Sequence, residues 1–258
     1  MKQSVVVTGG SKGIGWEIVQ TLARAGYHVF SGSRSARVFS GSRSARGSLD
    51  GDLSKSITQV QMDTKVEEDH LKLAKLASQD GHELVAYINN AGYSKWRAIQ
   101  EVDENFLEDI IRTNLMGYFW GAKAASRYLK TGGSLINISS LAGKRGSANN
   151  SAYVATKFGV TGLTQSLSKE LGPRGIRVNA ICPVLIESEG LLEALSEPSS
   201  PAKGNPESFL KEFAENQSAL KRLPTGEEVA DLVLYLISEK SSAITGQSIN
   251  VDCGVLPN

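Results

Sequence analysis

Residues 4–15 read SVVVTGGSKGIG: an apolar run from Ser4 to Val7, a loop with glycines at 9, 10, 13 and 15, and the start of a helical pattern. A β-branched run with no polar alternation is expected of a strand covered on both faces. After it, Ile14, Ile18, Leu22 and Ala25 recur at helical spacing, and Gly26 closes the pattern. Between strand and helix, Gly9, Gly13 and Gly15 let the backbone turn tightly and approach a ligand. A helix that starts there turns unpaired N–H groups and a positive dipole end toward phosphate. Such a loop between strand and helix reads as a dinucleotide site, with Ser11, Lys12 and Ile14 among its contacts.

The rest of the chain repeats the alternation. Strands are expected at Val29–Ser33, Ile57–Met62, Leu84–Asn89, Ser134–Ser139, Arg177–Cys182 and Gln247–Val251. Helices are expected at Glu67–Ser78, Glu104–Leu129, Ala152–Leu171 and Glu227–Ile237. This β-α rhythm calls for right-handed crossovers and a parallel, doubly wound sheet, a Rossmann-type α/β domain over residues 1–258. One segment breaks it. Residues 189–222 hold EPSSPAKGNP between LLEAL and SFLKEFAENQSAL, two short amphipathic helical patterns, and are expected to form a lid over an active site.

With 28 basic and 27 acidic residues and 40% hydrophobic content, the chain has the balance of an ordinary globule and not of a nucleic-acid binder. No run approaches the roughly 20 apolar residues of a membrane span, and no partner membrane is expected. Cys182 and Cys253 lie in apolar stretches and are expected to be free thiols in a reducing cytoplasm. His28, His70 and His82 share no ligand spacing, so no metal is expected.

Further motifs follow in order: NNAG at Asn89–Gly92, RTNLMG around Asn114, NISS ending at Ser140, and Tyr153-Val-Ala-Thr-Lys157. With TGGSKGIG, they make the chain resemble the short-chain dehydrogenase/reductase family over nearly its whole length. Within that family it is similar to 3-oxoacyl-acyl-carrier-protein reductases. The resemblance implies catalysis by Asn114, Ser140, Tyr153 and Lys157. It implies cofactor contacts from Gly9, Ser11, Lys12, Gly13, Ile14, Gly15, Ser33 and Arg34. Asp63 would meet the adenine amine, and Asn90, Ala91 and Gly92 would line the cofactor. Tyr153 and Lys157 would touch it as well, and Pro183, Ile186 and Ser188 would hold the nicotinamide end, beside Asn179. Val184 stands where the family usually has glycine. The resemblance also implies a homotetramer.

The chemistry suits those residue types. An i, i+4 pair puts the Tyr153 phenol and the Lys157 ammonium on one helix face. A phenol has a pKa near 10. An ammonium about 4 Å away at an effective dielectric of about 20 is worth roughly 4 kcal/mol, so the phenol is expected to be lowered. Ser140, thirteen residues before Tyr153, would polarise a substrate carbonyl, with Ser139 its near competitor.

Residues Val29–Arg37, VFSGSRSAR, recur unchanged as Val38–Arg46. The end of the second strand meets the adenosine ribose, where a carboxylate takes the 2′-hydroxyl and an arginine accommodates a 2′-phosphate. Both copies offer Ser-Arg. The first continues the chain naturally and is assigned the strand, with Arg34 and Lys12 flanking the phosphate, so NADP(H) is favoured over NAD(H). The second is expected as an enlarged loop, since loop closure costs only about 0.6 kcal/mol per doubling. Lys95, Arg97, Lys144, Arg145, Lys203, Lys211 and Lys221 are expected to draw an anionic small molecule: a keto acid, a sugar acid or a 3-oxoacyl thioester. The expected activity is NADPH-dependent carbonyl reduction or alcohol oxidation. The alternative is a catalytically silent nucleotide-binding regulatory or scaffold protein, against which the intact Asn-Ser-Tyr-Lys set argues.

Overall fold

The computed structural model describes residues 1–35 and 53–257. Seven strands form one parallel sheet in the order β3-β2-β1-β4-β5-β6-β7: β1 Lys2–Thr8, β2 His28–Ser33, β3 Ile57–Gln61, β4 His82–Asn89, β5 Ser134–Ile138, β6 Arg177–Pro183 and β7 Ser248–Val251. The helices are α1 Gly13–Arg24, α2 Glu67–Leu76, α3 Glu104–Ile111, α4 Gly117–Tyr128, α5 Ser151–Leu171, α6 Glu189–Leu195, α7 Pro206–Gln217 and α8 Gly226–Ile237. Each expected strand is present within a residue or two, and the doubly wound sheet is the one expected.

Alternation along the strands explains the two layers. Val5 and Val7 turn to one face, where Ile18, Val19 and Leu22 of α1 and Val229, Val233 and Leu236 of α8 cover them. Val6 turns to the other, against Leu73 and Ala74 of α2 and Ala122 and Ala125 of α4. All of these side chains are buried. At roughly 1.5–3 kcal/mol for each fully buried large aliphatic side chain, this double burial is what a strand without polar alternation requires. The strand order reverses between β1 and β4, and a crevice opens beyond their carboxyl ends.

The first copy of the repeated phrase supplies β2, where Val29–Ser33 pairs with β3 from Ile57 to Gln61. The second copy, Val38–Arg46, lies outside the described residues. The long helix expected over Glu104–Leu129 is interrupted. One π-helical turn, Arg112–Met116, joins α3 to α4. The widened turn sits where the Asn114 amide is bound to the Tyr93 backbone, accepting from Tyr93 N at 3.0 Å and donating to Tyr93 O at 2.7 Å. Periodicity within the segment does not show such a turn, because its Asn114 is held by the Tyr93 backbone from another part of the chain.

Candidate functional site

A cleft of about 1540 Å³ runs along the carboxyl ends of the strands, from the glycine loop to the α6–α7 segment. Single-ligand pockets run to roughly 1,000 Å³, so there is room for a dinucleotide and a second molecule. At one end, Thr8 holds the loop: its hydroxyl accepts from Asn90 N at 3.0 Å and Ala91 N at 3.2 Å. The Asn90 amide donates to the Thr8 and Gly9 carbonyls at 3.0 and 3.2 Å, which stitches NNAG to the glycine loop. A Cβ on Gly15 would press into the Gly9 carbonyl and the Asn90 amide, so no side chain fits there. Gly13, at φ +54°, has only Ser188 Cβ within 4 Å of such an atom and leaves bare backbone facing the cleft. No side chain caps the start of α1. An uncapped helix N-terminus behind bare glycine backbone fits a pyrophosphate.

Gly9, Ser11, Lys12, Gly13, Ile14, Gly15, Ser33, Arg34, Asp63, Asn90, Ala91, Gly92, Ile186 and Ser188 all line the cleft, as do Ser140, Tyr153 and Lys157. Asn114 and Pro183 do not: Asn114 is buried against Tyr93, and Pro183 closes β6 inside the protein. Val184 lines the cleft in their place, packed with Phe213 and Leu256. Its backbone is not left-handed, so the missing glycine costs no strain there. Arg34 is exposed at the end of β2, and its strand carries no carboxylate. Near Arg34 in the cleft stand Asp109, Lys65 and Tyr93. Asp109 accepts from the Tyr93 hydroxyl at 2.7 Å and from Lys65 at 3.0 Å. These two bonds hold its carboxyl below the usual range, with a smaller pull from Arg34. Asp63 accepts from Lys65 N at 3.0 Å, so its carboxylate is positioned by its own loop.

At the other end, Ser140 follows β5, and Tyr153 and Lys157 rise from the first turns of α5. The Ser139 hydroxyl donates to the Lys157 carbonyl at 3.2 Å. Ser140 Oγ accepts from Ala142 N at 3.1 Å, and its hydroxyl is hydrogen-bonded to the Tyr153 phenol at the cleft. Lys157 is buried; Nζ donates to Tyr118 Oη at 3.2 Å and to the Ile138 carbonyl at 2.9 Å. It lies 5.8 Å from the Tyr153 ring centre. Burial drops the Lys157 pKa to about 7, against a weak upward pull from Cys182. The Tyr153 phenol is raised, chiefly by burial, although the Ser140 hydroxyl beside it pulls the other way. This corrects the expected lowering: desolvation outweighs the Ser140 hydrogen bond, and the lysine expected to lower the phenol is turned to Tyr118. Tyr118 had no signal in the sequence, because an aromatic residue at helical spacing reads as core.

The expected cluster of cations is also dispersed. Lys95 pairs with Glu197 at 3.0 Å, and Arg97 pairs with Asp103 at 3.3 Å beside the Phe106 ring. Lys144 donates to the Ser248 carbonyl and Lys221 to the Glu215 carbonyl. Lys203 and Lys211 do not line the cleft, whereas Arg145 does. The segment after Ser188 carries α6 and α7 as expected, folded around Trp96 with Leu195 and Leu210. Among the described residues no group of three metal-ligating side chains gathers, and no helix is long and apolar enough to cross a membrane. Cys182 and Cys253 are free.

The family model described as enoyl-(acyl carrier protein) reductase, adh_short_C2, matches residues 9–256. The chain is 34% identical over 260 residues to the 3-oxoacyl-(acyl-carrier-protein) reductase FabG of Staphylococcus aureus, covering 99% of this chain and 98% of that protein. It is 33% identical over 263 residues to an L-2,3-butanediol dehydrogenase of Corynebacterium glutamicum, over 100% of both chains. An actinorhodin polyketide ketoreductase with NADPH superposes with a TM-score of 0.85 at 27% identity, over 98% of this chain and 97% of that one. A match across this length, on a seven-stranded parallel sheet with these motifs in one cleft, shows that the chain belongs to the short-chain dehydrogenase/reductase family.

Proposed function

We propose that the protein is an NADP(H)-dependent carbonyl reductase and alcohol dehydrogenase, acting on a small molecule held between the glycine loop and the α6–α7 lid. The observation that carries this is the convergence of Ser140, Tyr153 and Lys157 in the cleft that also holds the bare, uncapped phosphate loop. When bound, the nicotinamide exchanges a hydride with the substrate carbon. The Ser140 hydroxyl keeps its proton and donates a hydrogen bond to the carbonyl oxygen. Tyr153, kept protonated by its raised pKa, gives its proton to the oxygen as charge develops there. The phenolate that remains favours the charged form of Lys157, whose pKa near 7 lets it take up or release a proton at neutral pH. Asn114 acts one step away: its amide fixes the Tyr93 backbone and the π-turn behind the cleft.

NADP(H) over NAD(H) is supported by Lys12 and Arg34 at the adenosine end and by the lack of a carboxylate on β2. The names of two relatives agree: one carries NADPH in its structure, and the other is a reductase of 3-oxoacyl groups. We place the protein in a reducing cytoplasm, where Cys182 and Cys253 stay free, and read it as a homotetramer. Leu107, Phe119 and Phe158 are exposed on α3, α4 and α5 and offer an apolar face for such an assembly. The test is NADPH oxidation over a panel of ketones, keto acids and sugar-derived carbonyl compounds, with NADH in parallel. Turnover faster with NADPH is expected. Tight NADPH binding with no turnover on the panel would favour a silent nucleotide-binding protein instead.

A further inference from the structure

The substrate end of the cleft combines apolar walls with few free cations. Trp96, Leu185, Leu191, Phe209 and Phe213 line it, an apolar body for whatever binds. Of the basic residues that line the whole cleft, Lys65 is paired with Asp109, Lys95 with Glu197 and Arg97 with Asp103. Lys12 and Arg34 stand at the adenosine end, and Lys157 is buried against Tyr118. Arg145 remains. It follows the short turn after Ser140, is half-buried, and has no ion pair or side-chain hydrogen bond among the described residues. The carboxylates on the same cleft, Glu187, Glu189 and Glu193, are exposed, where water screens them.

Two further polar atoms at this end have no partner. Ser94 Oγ and Asn150 Oδ1 are buried and make no hydrogen bond. Asn150 is 5% exposed and stands at the N-cap of α5, the position where an asparagine side chain normally accepts from the helix, yet it caps nothing. Buried polar atoms are almost always satisfied, so an orphaned pair lining a cleft points to a ligand or a held water that completes it.

We propose that Arg145 receives the carboxylate of the substrate, which is an oxo acid with an apolar body, or the matching hydroxy acid. Ser94 Oγ and Asn150 Oδ1, both buried, take the hydrogen of a held water at the cleft wall. This rests on the oxidoreductase reading above and names its substrate class. A carboxylate fits better than a phosphate, because one guanidinium forms a complete two-pronged pair with one carboxylate, while a phosphate ester carries close to two charges.

The experiment compares medium-chain oxo acids with their methyl esters, using NADPH and steady-state kinetics on the wild type, Arg145→Ala and Arg145→Lys. The wild type should prefer the acid. Arg145→Ala should lose about ten- to a hundredfold in kcat/KM on the acid, mostly through KM, and keep its activity on the ester. Arg145→Lys should restore part of the loss. An acid-to-ester ratio unchanged in Arg145→Ala overturns the proposal, and equal losses on both substrates, the sign of a general structural defect, overturn it as well. A second arm separates this from the catalytic reading: the same acids and esters are titrated into NADPH-saturated protein by the change in cofactor fluorescence. Acid-selective binding that Arg145→Ala abolishes, without turnover in any protein, would retain the carboxylate site and defeat the oxidoreductase reading. Binding that ignores the carboxylate would defeat the site alone.

Discussion

The glycine loop and the Ser140–Tyr153–Lys157 group share one cleft and are built in opposite ways. The loop is made of backbone: bare glycines, an uncapped helix start, and carbonyls that accept hydrogen bonds from the Asn90 side chain at the end of β4. Its properties follow from sterics over a dozen consecutive residues. The Ser140–Tyr153–Lys157 group is made of side chains from β5's end and α5, and its properties follow from burial. Lys157 is stripped of water and turned to Tyr118, so its pKa falls to about 7, and the Tyr153 phenol rises by the same cause. A local motif is therefore robust in kind and sensitive to an added atom, whereas a buried electrostatic group is sensitive to its charge and to pH.

The largest test of that contrast is Tyr153→Phe. Removing the acid should lower kcat by about 10²- to 10⁴-fold while NADPH affinity, measured by fluorescence titration, stays within about twofold. A comparable loss of cofactor affinity would mean that the phenol belongs to the binding half of the cleft as well.

Next in size is the pH response of Lys157. Its folded pKa lies below its unfolded one, so between about 7 and 10.5 the unfolded chain holds the extra proton. Its contribution is fully favourable above the unfolded value and is lost as pH falls through the folded one. Denaturant unfolding of wild type and Lys157→Met should thus give curves that diverge toward low pH, with the wild type penalised by a few kcal/mol near neutrality. Parallel curves across that window would show that the buried amine is not the strained group.

Gly15→Ala probes the loop. The new methyl would press on the Gly9 carbonyl and the Asn90 amide, backbone and stitch that cannot both retreat. A loss of about 1–3 kcal/mol in thermal stability is expected, with weaker binding of NADPH and NADH alike. A substitution that bound both cofactors normally would place the loop's close approach elsewhere.

Smallest is Arg34→Ala, which should weaken NADPH binding by about 1–3 kcal/mol or less, since the group is exposed, and leave NADH binding nearly unchanged. Loss of affinity for both cofactors would mean that Arg34 acts on the adenine, or through Asp109, and not on a 2′-phosphate.

Most of the fold was legible because both of its signals are local. Val5, Val6 and Val7 have to be covered on two faces, and the helical stripes of α1 and α8 on one side and α2 and α4 on the other supply the cover. The π-turn at Arg112–Met116 was not legible, because its cause is the Tyr93 backbone, twenty-one residues away in sequence. The cation cluster failed for a related reason. Lys95 and Glu197 are a hundred residues apart, and only folding brings the lid's carboxylate onto that lysine. The same folding left the Arg145 side chain without an ion pair or hydrogen bond among the described residues, and the Asn150 side chain without a cap bond to α5.

By itself the sequence determined the strand–loop–helix at the phosphate end, the order of the parallel elements, and which residue types stand at the reacting end. Those depend on sterics, on period-two and helical patterning, and on spacing within one element. Only the tertiary structure decided the direction in which burial moves Tyr153 and Lys157, the partner of that lysine, and which basic side chains line the cleft unpaired among the described residues. Those depend on desolvation and on contacts between side chains far apart in the chain, quantities that take a value only once the sheet and the lid have closed around them.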